Sequence, residues 1–368
     1  MRLLQVSESL GGGVLEVVRT LSERLAAQGH EVALAYGVRP ETPDDLRSAV
    51  NREVELLTMP WTRRSLGAQL AAARRLRALV QEWKPDVVHL HSSFAGVVGV
   101  LAVRDVPTVY SPHAYSFTRS NDPAPVRAAY RAVERFIARR STLIGAVSES
   151  EAELARSGLG ASRVEVVPNG IPELDGEPAE QVPDRRPPLV VGIGRIGAQR
   201  RPEACAAILS AVAGSAEVRW LGQEPVEGAG TAALVGAGVP VSGWVPREEV
   251  MRALEDAVAY LHWTAWDGQP LSVLEAMARD AVVVASDIPP NREVLGPDQV
   301  CASEDQAIEL LRRVISDSGL RDSLLAEQRR RRRAYGAQRM VDQWLELYRR
   351  IARARATPAA AEQAGMAG

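Results

Sequence analysis

Lysine is nearly missing from this chain of 368 residues: Lys84 stands alone, and arginine supplies the rest of the positive charge. The bias reads as genome composition, so an arginine where lysine is customary carries little surprise here. Cysteine is almost as rare. Cys205 and Cys301 lie far apart without metal-ligand spacing, which argues against a disulfide framework. No apolar run approaches the ~20 residues needed to span a bilayer. The opening Met1-Arg2-Leu3-Leu4-Gln5-Val6 runs straight into a strand-like segment, without the apolar core of a secretion signal. The formal net charge is only −2, so no basic field points to nucleic acid. No Asp-x-Asp pair stands at a predicted strand end and no His/Cys cluster has ligand spacing, so no metal site is expected. The first glycine turn, Gly11-Gly12-Gly13, does not spell Gly-x-Gly-x-x-Gly, which disfavours a nicotinamide-dependent oxidoreductase.

What is present is a hydrophobic fraction of 46% in a chain too long for one ordinary core, and two similar halves. The first half opens with a strand at Leu3 to Val6, the glycine turn, an amphipathic helix carrying Val14, Val17, Val18, Leu21 and Leu25, and a strand at Val32 to Tyr36. That is a βαβ unit, the building block of parallel sheets. A helix from about Leu66 to Trp83 precedes a strand at Asp86 to Leu90, and short β-rich runs follow at 108–110, 143–147 and 164–167. A proline-, acid- and arginine-rich stretch reads as a linker, and the alternation restarts at Leu189. The expected strands there are 189–194, 217–221, 258–262 and 281–285. The resulting plan is a domain over 1–170, a linker over 171–188, a second domain over 189–337, a helix over 338–355 and a disordered alanine-rich tail over 356–368.

The most informative stretch runs from Trp266 to Ala278. Asp267 and Glu275 stand eight residues apart, with Gly268-Gln269-Pro270 between them and a helix expected to open at the proline. Backbone N–H groups at such a helix start attract phosphate, so the two acids would bracket a nucleotide sugar whose diphosphate lies over the amides. Arg195 and Arg200 follow the first strand of the second half, where forked donors suit phosphate oxygens; Arg201 reads as a solvated neighbour. His113 follows a strand in a loop rich in aromatics and is a weak signal alone. His89 and His91 alternate on one strand, and His89 fits the core. The glycine turn at 11–13 reads equally as a tight βα connection or as room for a ligand's close approach. Arg127, Arg131, Arg135 and Arg139 form a stripe on one helix face, either solvated or facing an anionic membrane. Arg329 to Arg333 reads as a solvated helix end.

An ordered series of motifs joins these features. It comprises the glycine loop before Val14, Gly29-His30-Glu31-Val32, Lys84-Pro85-Asp86-Val87-Val88-His89-Leu90-His91, Ser111-Pro112-His113, Ala146-Val147-Ser148-Glu149-Ser150, Val167-Pro168-Asn169-Gly170-Ile171 and Gly194-Arg195-Ile196. It closes with Asp267-Gly268-Gln269-Pro270 through Glu275-Ala276-Met277-Ala278, then Ala285-Ser286-Asp287-Ile288-Pro289 with Glu293. From Leu3 to Ile351 the chain resembles the family 4 glycosyltransferases, retaining enzymes of GT-B architecture. The resemblance implies an α/β fold of two Rossmann-like domains facing across a cleft, with the last helix crossing back to the first. It implies that Glu275 holds ribose hydroxyls, Asp267 the hydroxyls of the transferred sugar, and Arg195 and Arg200 the diphosphate. Trp244 and Val245 would flank the base, and amides near Gln269, Leu271 and Ser272 would support phosphate or sugar. Gly12 and His113 would act from the first domain. Catalytic roles fall to His113, Asp267, Arg195 and Arg200.

The implied reaction moves a hexosyl group from a nucleoside diphosphate sugar, UDP-sugar favoured, to a hydroxyl acceptor, without a metal or other cofactor. The loops at 91–96 and 116–125 resemble those of bacterial enzymes that build surface polysaccharides, which favours a lipid-linked oligosaccharide acceptor, a cytoplasmic location and peripheral contact with the inner membrane face; a small-molecule acceptor is the alternative. A UDP-sugar epimerase of the same architecture and a catalytically silent homologue are the rival readings. Two positions depart from the family: glutamate is usual where Asp267 stands, and lysine where Arg200 stands.

Overall fold

The computed structural model describes residues 1–39, 42–43, 45–61, 65–175, 187–224 and 228–365, with side chains to 354. The chain forms two compact units. The first takes in Met1–Thr118, Ala124–Gly170 and Ala337–Gly368; the second takes in Arg119–Pro123 and Ile171–Gly336. Most of the expected linker, residues 176–186, lies outside the described residues; Pro172–Leu174 before it forms one 3-10 turn.

The first unit is built on seven strands: β1 (Arg2–Ser7), β2 (Glu31–Gly37), β3 (Val54–Met59), β4 (Val87–His91), β5 (Thr108–Ser111), β6 (Leu143–Ala146) and β7 (Val164–Val166). Their order is β3-β2-β1-β4-β5-β6-β7, and every ladder is parallel. Strand order reverses between β1 and β4, and the carboxyl ends there carry Ser7 and His91, paired in register. Ligands of open α/β sheets favour such a switch point. The second unit holds β8 (Leu189–Ile193), β9 (Glu217–Leu221), β10 (Ala257–His262), β11 (Val282–Ser286) and β12 (Val300–Cys301), also all parallel, in the order β12-β11-β10-β8-β9. An isolated parallel bridge between Trp220 and Val241 lies beside β9. Helices cover both sheets, which is why β8, β10 and β11 read as unbroken apolar runs. Both units are Rossmann-like.

Several expectations change. The sequence did not announce β3, whose Val54-Glu55-Leu56-Leu57-Thr58-Met59 is half solvated at the sheet edge, nor the two-residue β12. Pro270 is the N-cap of helix Leu271–Ala278, with φ −76° and ψ 117°, so the helix opens one residue later than expected. The last helix spans Ala337–Gly365, continuing through the segment predicted to be a disordered tail. Arg329 to Arg333 is not simply solvated. Arg332 is buried, with Nη1 2.6 Å from both Asp280 Oδ1 and the Met277 carbonyl, and Arg329 Nη2 lies 2.9 Å from Asp280 Oδ2. A buried carboxylate needs such partners. Finally, a Gly-x-Gly-x-x-Gly spacing does occur, at Gly192-Ile193-Gly194-Arg195-Ile196-Gly197 after β8. Gly192 serves packing, since a Cβ there would stand 2.4 Å from the Trp220 ring; Gly194 serves the backbone, with φ +120°; and a Cβ on Gly197 would meet nothing within 4 Å. The next α-helix begins only at Pro202, so no helix N-terminus follows within the motif as a dinucleotide fingerprint requires.

Candidate active site

In the second unit β8 and β10 are neighbours, so the loops leaving their carboxyl ends run side by side. Gln199 stitches them together. Its carbonyl accepts from Ala265 N at 2.8 Å and Thr264 Oγ1 at 3.1 Å, and its Nε2 donates to the Trp266 carbonyl at 2.8 Å. This brings Arg200 Nη1 to 3.6 Å from Asp267 Oδ2. Asp267 Oδ1 accepts from its neighbour's backbone at Gly268 N, 2.9 Å away. Burial raises the Asp267 pKa, while Arg200 and the Gly268 amide oppose the shift.

Helix Leu271–Ala278 follows at once. No side chain caps its N-terminus, and its Glu275 is 9% exposed. Glu275 Oε1 accepts from Arg247 Nη2 at 2.7 Å, and Arg247 Nη1 donates to Glu173 Oε1 at 2.9 Å. Arg247 was not singled out in the sequence; it stands at the start of helix Arg247–Glu255, two residues beyond Val245. His262 and Tyr260 on β10 were missed as well, because within a buried strand a polar residue looks like noise. Gly268, Gln269, Pro270 and Leu271 are buried, Ser272 is half-buried, and Arg195 is exposed. Trp244 presents its indole to solvent, 60% exposed beside the half-buried Val245. A cavity of about 430 Å³ adjoins this segment, lined by Trp263, Thr264, Ser286, Asp287, Arg201 and Ser120; it contains none of the predicted site residues.

The first unit carries the other two. Gly12 begins helix Gly12–Ala27 with φ +53°, and a Cβ there would meet nothing within 4 Å. Its glycine is thus required by the left-handed backbone rather than by crowding. His113 (φ 52°) and Ala114 (φ 82°) both adopt the left-handed region, an unusual pair for residues with side chains. Glu151 fixes the loop by accepting from Ala114 N at 2.8 Å and Val147 N at 2.9 Å. His113 Nε2 lies 2.9 Å from His91 Nδ1, and His91 Nε2 lies 2.8 Å from Gln5 Oε1. His89 is a core residue, with Nδ1 2.6 Å from the Tyr348 hydroxyl and Nε2 2.9 Å from Ser111 Oγ. Burial pushes His113 down to about 4, so its imidazole is neutral at neutral pH.

Two family models cover most of the chain: Glycosyltransferase Family 4 matches residues 11–173, and Glycosyl transferases group 1 matches residues 207–339. With these matches and two Rossmann-like units, the chain belongs to the family 4 glycosyltransferases of GT-B architecture. Among curated relatives, it is 24% identical over 240 residues to an Escherichia coli UDP-Gal:alpha-D-GlcNAc-diphosphoundecaprenol alpha-1,3-galactosyltransferase, covering 58% of this chain and 60% of that protein. It is 24% identical over 185 residues to an uncharacterized 41.2 kDa protein in the cps region of Klebsiella pneumoniae, 48% of each chain. The matches thus span about half to three fifths of those relatives' length. Sucrose-phosphate synthase from Thermosynechococcus elongatus shares the fold with a TM-score of 0.82 at 17% identity, over 96% of this chain and 100% of that one. Anabaena HepE, solved with UDP and glucose, does so with a TM-score of 0.76 at 15% identity, over 94% and 99%.

Proposed function

We propose that this glycosyltransferase moves a hexosyl group from a UDP-sugar to a hydroxyl of a lipid-linked oligosaccharide, with retention and without a metal. The observation that carries the donor side is the cluster of Arg200 and Asp267 at the uncapped start of the helix that bears Glu275. Asp267 holds the sugar hydroxyls and Glu275 the ribose hydroxyls. Arg195, Arg200 and the amides of Leu271 and Ser272 meet the diphosphate, and Trp244 and Val245 flank the base. The acceptor oxygen bonds to the anomeric carbon on the face from which the phosphate departs. The C1–O bond to phosphate breaks, and the acceptor proton passes to the leaving phosphate oxygen. Guanidinium groups and amides take up the developing negative charge, and this electrostatic stabilisation lowers the barrier more than any other effect in such chemistry. The resemblance gives Gly12 and His113 of the first unit a part in the same reaction.

The acceptor side rests on helix Ala124–Arg140. Val126, Val133 and Phe136 are exposed along it at 39%, 40% and 36%, beside the row Arg131, Arg135 and Arg139. Its only acid, Glu134, is buried, accepting from the Tyr110 hydroxyl at 2.7 Å and Ser93 Oγ at 2.6 Å. The outer face therefore offers cations and apolar groups together, the combination that suits an anionic lipid surface. An enzyme acting on a lipid-linked acceptor at the inner membrane face would be held there by it. No helix among the described residues is long and apolar enough to cross a membrane. The E. coli relative's name, which specifies a diphosphoundecaprenol acceptor, supports the same class.

The test is transfer and donor hydrolysis with a panel of UDP- and GDP-sugars, with and without EDTA, in wild type, Glu275→Ala and Arg195→Ala. Each variant is expected to lose about 10²-fold or more in kcat/KM, and EDTA to change nothing. Undiminished turnover in both variants refutes the site assignment, and conversion of donor to its epimer without acceptor refutes transfer.

A further inference from the structure

Arg200 and Asp267, on the loops that leave neighbouring strands β8 and β10, are in contact, Nη1 to Oδ2 at 3.6 Å. A third residue completes the set. His262 ends β10 with its side chain fully buried, and Arg200 Nη1 lies 3.3 and 3.2 Å from its Nδ1 and Nε2. The guanidinium nitrogen is nearly equidistant from both ring nitrogens, so it spans the imidazole rather than pointing along one lone pair. Asp267 Oδ2 stands 3.8 Å from His262 Nε2. The ring is held from behind. Tyr260 donates its hydroxyl proton to Ser272 Oγ at 2.8 Å, so the 2.8 Å contact with His262 Nδ1 takes its proton from the ring. Burial and the neighbouring guanidinium hold His262 well below the ordinary histidine range, and the imidazole stays neutral.

We propose that His262 is a positioning residue that seats Arg200 against Asp267. Its catalytic meaning rests on the donor-site reading above; its geometry concerns only these side chains. A planar guanidinium with five donors touches imidazole and carboxylate at once and keeps further N–H groups for phosphate, which a lysine ammonium does not. Arginine is long and has many rotamers, and a neutral ring fixed by Tyr260 removes that freedom without repelling the charge. Arg200 and the Gly268 amide act on Asp267 directly, His262 stands 3.8 Å from it, and Tyr260 feels its charge. Of these, Arg200 supplies the charge that opposes the burial-driven rise in the Asp267 pKa.

The test is carboxyl-carbon NMR titration of Asp267 in the full chain, assigned with Asp267→Asn, in wild type, His262→Leu and the milder Tyr260→Phe, with thermal melts to verify folding. Asp267 is expected to titrate at higher pH in the folded variants, with the acid limb of kcat moving the same way. The expected fall in kcat is about tenfold, with less than about twofold change in KM for the UDP-sugar. Arg200→Lys and Asp267→Glu should each cost about tenfold, and the double substitution should cost clearly less than the product of the two, as for side chains in contact. An unmoved Asp267 titration, or strictly multiplicative losses in the double variant, overturns the inference. If no donor supports transfer in wild type, the donor-site reading fails by itself, and the titration still decides whether His262 positions Arg200.

Discussion

At the residue scale the molecule depends on neutral buried histidines. His89, His91, His113 and His262 all have pKa values lowered chiefly by burial, His113 to about 4. In the unfolded chain each titrates near 6.5, so between the two values the unfolded state binds more protons and stability rises with pH. The stabilisation is therefore full above about pH 6.5 and is lost as pH falls toward the folded values. Thermal melts should show a lower Tm at pH 5 than at pH 7.5. His113→Gln should flatten this dependence, by at most roughly 3 kcal/mol; an identical pH slope in the variant would show that another group controls acid lability. The two thiols take no part. Burial pushes Cys205 up to about 12 and Cys301 to about 11, so neither offers a thiolate at neutral pH.

At the element scale, helix Ala124–Arg140 shows how far a pattern can be read. The four-residue arginine period was legible, but which face it occupied was not. Arg127 is half-buried, Arg131 lies over the Phe117 ring at 5.0 Å, and Arg135 Nη2 donates to the Gly158 carbonyl at 3.1 Å. The exposed apolar row and the burial of Glu134 emerge only from packing. In flotation, the wild type should rise with vesicles containing anionic lipid and stay down with neutral ones. Arg131→Glu/Arg135→Glu/Arg139→Glu should abolish the difference, and equal recovery of wild type from both vesicle types would mark the face as merely solvated. Long strands and helices with clear periods, such as Glu217–Leu221 and Leu66–Trp83, were placed from sequence almost to the residue. The edge strand β3 was not, since it buries too little to impose a pattern.

At the scale of the whole molecule, the chain's last helix belongs to its first unit. Trp344 packs 4.5 Å from the His89 ring, Tyr348 reaches His89 Nδ1 with its hydroxyl, and a Cβ on Gly145 would stand 2.1 Å from the Trp344 ring. Burying two such aromatics contributes several kcal/mol, a large share of the stability of any domain. A chain ending at Gly336 should therefore expose residues 1–170 to limited proteolysis while residues 189–336 resist. Equal digestion of both regions, or none, would show that the helix is dispensable to the first unit.

The amino-acid order alone determined the parallel α/β class and its two halves, because hydrophobic period and short-range turn chemistry act along the chain. Only the tertiary structure decided that Arg200, Asp267 and His262 touch, that Arg247 reaches Glu275, and that Arg332 is buried on Asp280. Apart from His262 with Asp267, these contacts join residues tens of positions apart, where strand order and packing set the distances and local propensity has no say.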